Sequence, residues 1–249
     1  MNILIKAALA AVLALAPIAA PAQESSKIQI ELSEARVKEL VYQAIRENPE
    51  IVMEAVAILQ KRENDALAAQ TQSVLSDQRQ MLERDPNAPV LGNVDGDVTV
   101  IEFFDYNCPY CKRAMPEVQA LMDADPNVRL VYREWPILGE GSVFAARAAL
   151  ASREQGKYEE MHWAMMGLKG RIGEERVMKV AKDLGLDLDK LRADMNSPAV
   201  EEHIATSMQL AQAVGFNGTP SFVIGQSLVP GFVERDELIK IVDETRASQ

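Results

Sequence analysis

The sequence predicts an α/β domain that carries a long helical insert and is preceded by a helical extension. Three observations lead there. The apolar, β-branched run Val98-Thr99-Val100-Ile101-Glu102-Phe103-Phe104 reads as a strand feeding the helix that opens at Cys108-Pro109-Tyr110-Cys111. The stretch from Ser142 to Val214 has a helical pattern and gives way to a hairpin and a closing helix. Residues 33 to 84 hold no Gly, one Pro and many Ala, Glu, Gln and Leu, a composition that favours helix almost throughout.

The chain begins with a signal-like segment. Lys6 supplies the positive region, Ala7 to Ala20 is apolar with Pro17 as its interruption, and Ala20-Pro21-Ala22 offers a small-x-small cleavage site. The apolar run is shorter than the roughly 20 residues of a spanning helix. No cysteine lies near the cleavage site for lipid attachment, and no later stretch is long and apolar enough to span a bilayer. Residues 1–22 are therefore expected to be a signal peptide. The mature protein is expected to be soluble, exported, and held where disulfides persist, with a bacterial periplasm the best fit.

Residues 23–85 are expected to form a helical N-terminal extension. One helix should run from about Ser33 to Glu47, and a longer one from about Pro49 to Arg84, with Asn48 as its N-cap and Pro49 at its first position. The first presents Val37, Leu40, Val41, Ala44 and Ile45 on one face. The second has Val52, Ala55, Val56 and Leu59, then pairs at seven-residue spacing: Leu67/Ala68, Val74/Leu75, Met81/Leu82. Gln60, Glu63, Gln70 and Gln78 break that stripe, so these helices need a partner surface. Either they fold back on the main domain, or residues 33–84 assemble copies of the chain into a homo-oligomer, which the heptad-like spacing favours.

Asp85-Pro86-Asn87-Ala88-Pro89 is a cluster of helix breakers and marks the boundary of a domain expected to occupy residues 86–249. The strand Val98 to Phe104 leads to a helix from about Pro109 to Ala124, ended by Asp125-Pro126-Asn127. Val128 to Trp135 alternates as a second strand and stops at Pro136. The helical insert, at about 141–214, breaks at Gln155-Gly156, Lys169-Gly170, Leu184-Gly185 and Asn196-Ser197-Pro198. Ser221–Ile224 and Ser227–Val229 make a hairpin across Gly225-Gln226, and Arg235 to Thr245 closes the chain as a helix.

Cys108 and Cys111 are the only cysteines, so they have no other structural bridge to serve. At a helix tip, free backbone N–H groups favour a thiolate. Cys108 should be the exposed nucleophile that forms mixed disulfides, and Cys111, one turn inward, the buried thiol that resolves them. A zinc site would need four ligands, and only His162 and His203 stand beside the cysteines. Haem attachment requires a histidine where Lys112 stands. Monovalent copper held by two thiolates is the remaining metal alternative. No cofactor or resident metal is expected. The formal net charge of −11 argues against nucleic acid or anionic lipid as a partner.

The segments Phe103-Phe104-Asp105-Tyr106-Asn107-Cys108-Pro109-Tyr110-Cys111-Lys112 and Gly218-Thr219-Pro220-Ser221-Phe222 resemble the two signatures of the DsbA family of periplasmic thiol–disulfide oxidoreductases. The resemblance covers roughly residues 88 to 246. The helical extension is similar to that of the branch containing the suppressor-of-copper-sensitivity protein C and Com1-like proteins, members of which oligomerise and shuffle disulfides. The resemblance implies a thioredoxin fold with an inserted helical domain, cysteine-containing exported proteins as substrates, and a membrane redox partner. It also implies a cis peptide bond at Pro220, facing the cysteines, with Thr219 before it offering its backbone to substrate. Thr219 follows the pattern of isomerase-type relatives.

Glu102, six residues before Cys108 on the inward side of its strand, matches the family's buried acid, which relays a proton to the resolving cysteine. An unpaired buried carboxyl should have a raised pKa. Pro109 and Tyr110 set the redox poise and border the substrate. A neutral Tyr110, where the strongest oxidants of the family carry His, predicts a weaker oxidant. Asp105 and Tyr106 either touch substrate or end the strand. Trp135 and the stretch Met161-His162-Trp163-Ala164-Met165-Met166 read as packing, while His162 and His203 read as surface or capping residues.

Overall fold

The computed structural model describes residues 33–249, so the expected signal peptide lies outside the described residues. Among the described residues, no helix is long and apolar enough to cross a membrane. The chain divides into two compact units, which meet at Leu59–Gln60 within one long helix.

In the first unit, α1 (Glu34–Glu47) starts at Ser33, whose hydroxyl accepts from the Arg36 N–H. α2 (Glu50–Arg84) follows. Asn48 does not act as the N-cap of α2, as its place before Pro49 suggested. It closes α1 instead, because both its backbone and its side-chain N–H groups donate to the Ala44 carbonyl, an acceptor the helix end leaves free. α1 buries none of its residues: Val37, Leu40, Val41 and Tyr42 are all exposed, as are Val52, Met53, Val56 and Leu59 on α2.

The second unit is built on a five-stranded sheet in the order β1-β3-β2-β4-β5. Its strands are β1 (Val90–Gly92), β2 (Val98–Phe104), β3 (Val128–Glu134), β4 (Ser221–Ile224) and β5 (Ser227–Pro230). β2 and β3 run parallel, and every other pairing is antiparallel. The helices are α3 (Pro109–Ala124), α4 (Glu140–Ala151), α5 (Tyr158–Met166), α6 (Glu174–Asp183), α7 (Leu188–Asp194), α8 (Pro198–Ala213) and α9 (Arg235–Ala247). This is the order the resemblance implies for a thioredoxin fold with a helical insert, α4 to α8 standing between β3 and β4.

β2 is central, and all seven of its residues are buried because both faces of the sheet are covered. Val98, Val100 and Phe104 pack with Val118 and Leu121 of α3, Leu238 and Val242 of α9, and Met161 and Met165 of α5. Ile101 and Phe103 point the other way, into Leu75 and Leu82 of α2 and Leu210 of α8. The period-two alternation of a strand thus divides the core in two, each buried Leu or Phe contributing about 1.5–3 kcal/mol.

Residues 60–85 therefore belong with the sheet, whereas the breaker cluster had suggested a boundary near residue 85. Two arginines of β3 account for this. Arg129 donates to the Glu83 carbonyl and Arg133 to the Met81 carbonyl, satisfying acceptors at the end of α2. Arg133 also pairs with Asp85 at 2.6 Å, both side chains buried. Burial pushes the Asp85 carboxyl up. The hydrogen bond and charge of Arg133, with the Asn87 N–H, outweigh it and hold the pKa below the ordinary value.

Candidate active site

β2 delivers the chain to Asp105, whose two carboxylate oxygens are taken by the N–H groups of Asn107 (2.7 Å) and Leu138 (2.9 Å). Asp105 is buried, and so is Tyr106, whose hydroxyl meets His162 Nδ1 at 3.1 Å. Neither is placed to touch a substrate; both order the turn before the dithiol. Asn107 is a residue that sequence reasoning passed over. Its side-chain oxygen accepts from the Ile172 N–H at 2.7 Å, and its amide nitrogen donates to the Ile172 carbonyl at 3.0 Å and to Ser142 at 3.2 Å.

Cys108 takes the N-cap position of α3 with extended backbone angles, and Pro109 occupies the first helical position. Cys108 was expected to be exposed, yet it is only 5 % accessible. The reason is the loop before β4. The Thr219 carbonyl accepts from the Cys108 thiol at 3.1 Å, and the Thr219–Pro220 peptide bond is cis. Tyr110 is 58 % exposed beside it, so the rim of the dithiol is open although its sulfur is not. Cys111, one turn inward, is fully buried.

The electrostatics separate the two thiols. The Cys111 thiol hydrogen-bonded to the Cys108 sulfur favours the thiolate most strongly, and burial opposes it. The Thr219 side chain and the N–H groups of Cys111 and Tyr110 add to the first effect, bringing Cys108 down to about 6. Burial, the hydrogen bond to Cys108 and the charge of Glu102 all push Cys111 well above the usual thiol range. Glu102 is itself buried, with no hydrogen-bond partner for Oε1. Burial first and the charge on Cys108 second raise it to about 8.

His162 and His203 are both buried, contrary to the surface or capping role expected of them. His162 lies among Phe104, Tyr106, Tyr132 and Tyr158, and burial lowers its pKa to about 3, which keeps it neutral. His203 Nε2 sits 2.7 Å from Glu134 Oε2. Its Nδ1 donates to the Asn87 carbonyl at 3.2 Å. Lys112 was also passed over: its ammonium donates to the Leu168 (2.7 Å) and Gly170 (2.8 Å) carbonyls.

The DSBA-like thioredoxin domain family matches residues 99–242, and the copper resistance protein ScsC N-terminal domain matches residues 34–66. A thioredoxin-like oxidoreductase from Silicibacter pomeroyi DSS-3 is 65 % identical, with a TM-score of 0.68 over 69 % of this chain and 99 % of its own. A linker-deleted variant of Proteus mirabilis ScsC is 26 % identical, with a TM-score of 0.68 over 89 % of this chain and 100 % of its own. The match to a Na(+)/H(+) antiporter of Salinispora tropica is 33 % identical over 58 % of this chain, which spans only 22 % of that protein's length. The family match covers more than half of the chain, dithiol and cis-proline loop included. The chain belongs to the DSBA-like thioredoxin domain family.

Proposed function

We propose that this chain is exported to the periplasm by residues 1–22 and rearranges disulfides in exported proteins through its Cys108-Pro109-Tyr110-Cys111 centre. The observation that carries this reading is the split between the two thiols. Cys108 is held near 6, ionised at neutral pH, while Cys111 remains a thiol over a carboxyl of pKa about 8.

In the reduced enzyme, the Cys108 thiolate attacks a substrate disulfide. A mixed disulfide forms, and one substrate sulfur leaves as a thiolate. That thiolate, or another in the substrate, attacks a new partner until Cys108 is released with the substrate's bonds rearranged. When rearrangement stalls, the ionised form of Glu102, favoured once the mixed disulfide removes the Cys108 charge, takes the Cys111 proton; Cys111 then attacks the Cys108 sulfur, freeing reduced substrate and leaving the enzyme disulfide. Thr219 and Pro220 line the sulfur, and Thr219 offers its backbone to an extended substrate segment. Pro109 and Tyr110 form the exposed rim.

The exposed apolar faces of residues 33–59 support assembly into a homo-oligomer that presents several dithiols to one substrate. A monomer working with a membrane oxidase would instead donate disulfides. Refolding of scrambled ribonuclease, measured with oligomer mass, tests both. An oligomer should restore ribonuclease activity and Cys108→Ala should not. Equal behaviour of the two proteins would sink the enzymatic reading, and a monomer would sink the isomerase reading.

A further inference from the structure

The loop between α5 and α6 is fastened to both sides of the dithiol. Asn107, just before Cys108, binds the backbone of Ile172, and Lys112, just after Cys111, binds the carbonyls of Leu168 and Gly170. Arg176 donates to the Lys169 and Arg171 carbonyls, each at 2.8 Å, and Arg171 donates to the Leu138 carbonyl at 2.6 Å. Lys169 and Arg171 thus lie on one short loop, whose carbonyls are bound by Lys112 of α3 and Arg176 of α6. Lys169 and Arg171 are exposed.

Among the described residues, none of these four cations has a carboxylate within 4.0 Å, although most other lysines and arginines of the unit do. Asp105, the acid whose charge reaches Lys112, has its oxygens occupied by backbone N–H groups, and Glu174 is taken by Arg192. An ammonium has three donors and a guanidinium five, so donors remain unused beyond the carbonyl contacts. In a chain of net charge −11, a cationic rim at the one reactive sulfur is a local reversal of sign.

We propose that this rim selects substrates whose cysteine lies in an acidic segment. The proposal rests on the exchange reading above and deepens it. Opposite charge raises the rate of encounter, and the effect weakens as salt screens it.

The test uses the full chain in its disulfide form and two peptides of equal length. Each peptide has a pair of cysteines, flanked by Glu in one and by Gln in the other. A peptide thiolate attacks the Cys108 sulfur, the Cys108–Cys111 bond breaks, and Cys111 leaves and takes a proton. The second peptide thiol then loses its proton and attacks the peptide sulfur, releasing Cys108. Two electrons pass from peptide to enzyme. Rates are divided by those with a small uncharged disulfide, which removes the intrinsic difference between the peptides' thiols.

The Glu peptide should be oxidised about tenfold faster at low ionic strength and less than twofold faster at about 0.5 M salt. Lys169→Gln with Arg171→Gln should bring the ratio close to one. Lys190→Gln with Lys240→Gln, an equal loss of charge elsewhere, should leave it intact. Equal rates in the wild type, a ratio that survives loss of Lys169 and Arg171, or one that falls equally in the control pair would each overturn the rim. Failure to oxidise either peptide would instead overturn the exchange reading on which it rests.

Discussion

Two glutamates on neighbouring central strands are both buried and differ in what surrounds their oxygens. Glu134, at the end of β3, has the His203 ring on one oxygen and the Tyr158 hydroxyl on the other at 2.5 Å. Burial pushes its pKa up, but the charge of His203, with the hydrogen bonds of His203 and Tyr158, brings it below the ordinary value. Glu102, in the middle of β2, has an oxygen with no partner, and burial lifts it to about 8. Burial alone therefore does not decide the ionisation of a carboxyl; its partners do. The acid whose proton is poised to move is the one beneath the dithiol, and the partnered one holds the insert to the sheet.

The largest expected effect comes from the partnered acid. Glu134→Gln breaks a buried pair and takes the carboxylate away from the Tyr158 hydroxyl, and should destabilise the protein by about 3–5 kcal/mol at pH 7 in chemical denaturation. Because the folded pKa of Glu134 is depressed, its stabilisation is present above about 4.5 and is lost as pH falls through the lower folded value. The deficit of the variant should thus shrink only in acid. A variant as stable as the wild type at pH 7 would erase the distinction.

Glu102→Gln should act with the opposite sign. Its folded pKa is raised, so the ionised group costs stability increasingly from about pH 4.5 to about 8 and fully above that. The reduced variant should gain on the order of 2–4 kcal/mol at pH 9 and nothing at pH 4. Resolution of mixed disulfides should slow by about 10- to 100-fold near pH 7. No gain in stability at pH 9 would show that Glu102 is solvated or partnered in solution.

The smallest effects concern the sulfur. Thiolate absorbance of the reduced protein should titrate with a midpoint at about 6, and Cys108→Ser should abolish that step. The reduction potential should be more reducing than about −120 mV, since Tyr110 adds less support to the thiolate than a histidine would. A value above that would contradict the role given to Tyr110.

The sequence made the reactive pair legible, because a strand, two cysteines and a helix start are adjacent in the chain. Glu102 was legible too, since alternation along β2 turns it to the same face as Val100 and Phe104. The partners of Glu134 were not. His203 lies far along the chain from it, and a long-range ion pair leaves no local periodicity. The same holds for Arg133 with Asp85 and for the docking of α2 by β3 arginines. Burial of Cys108 was hidden for a related reason: a motif shows what is next to the sulfur in sequence, not the Thr219 carbonyl that covers it.

Asn107 and Lys112 hold the loop between α5 and α6 only through main-chain atoms of Leu168, Gly170 and Ile172. Such contacts ask for the path of the insert's backbone at those points and are indifferent to the side chains it carries there. Mutation at positions 169 and 171 therefore leaves the Asn107 and Lys112 contacts in place, although it costs the Arg171 bond to the Leu138 carbonyl, so the loop's charge can follow whatever the enzyme must handle. The dithiol stays under one unchanging scaffold while its surroundings evolve, a division of labour between atoms that hold and atoms that choose.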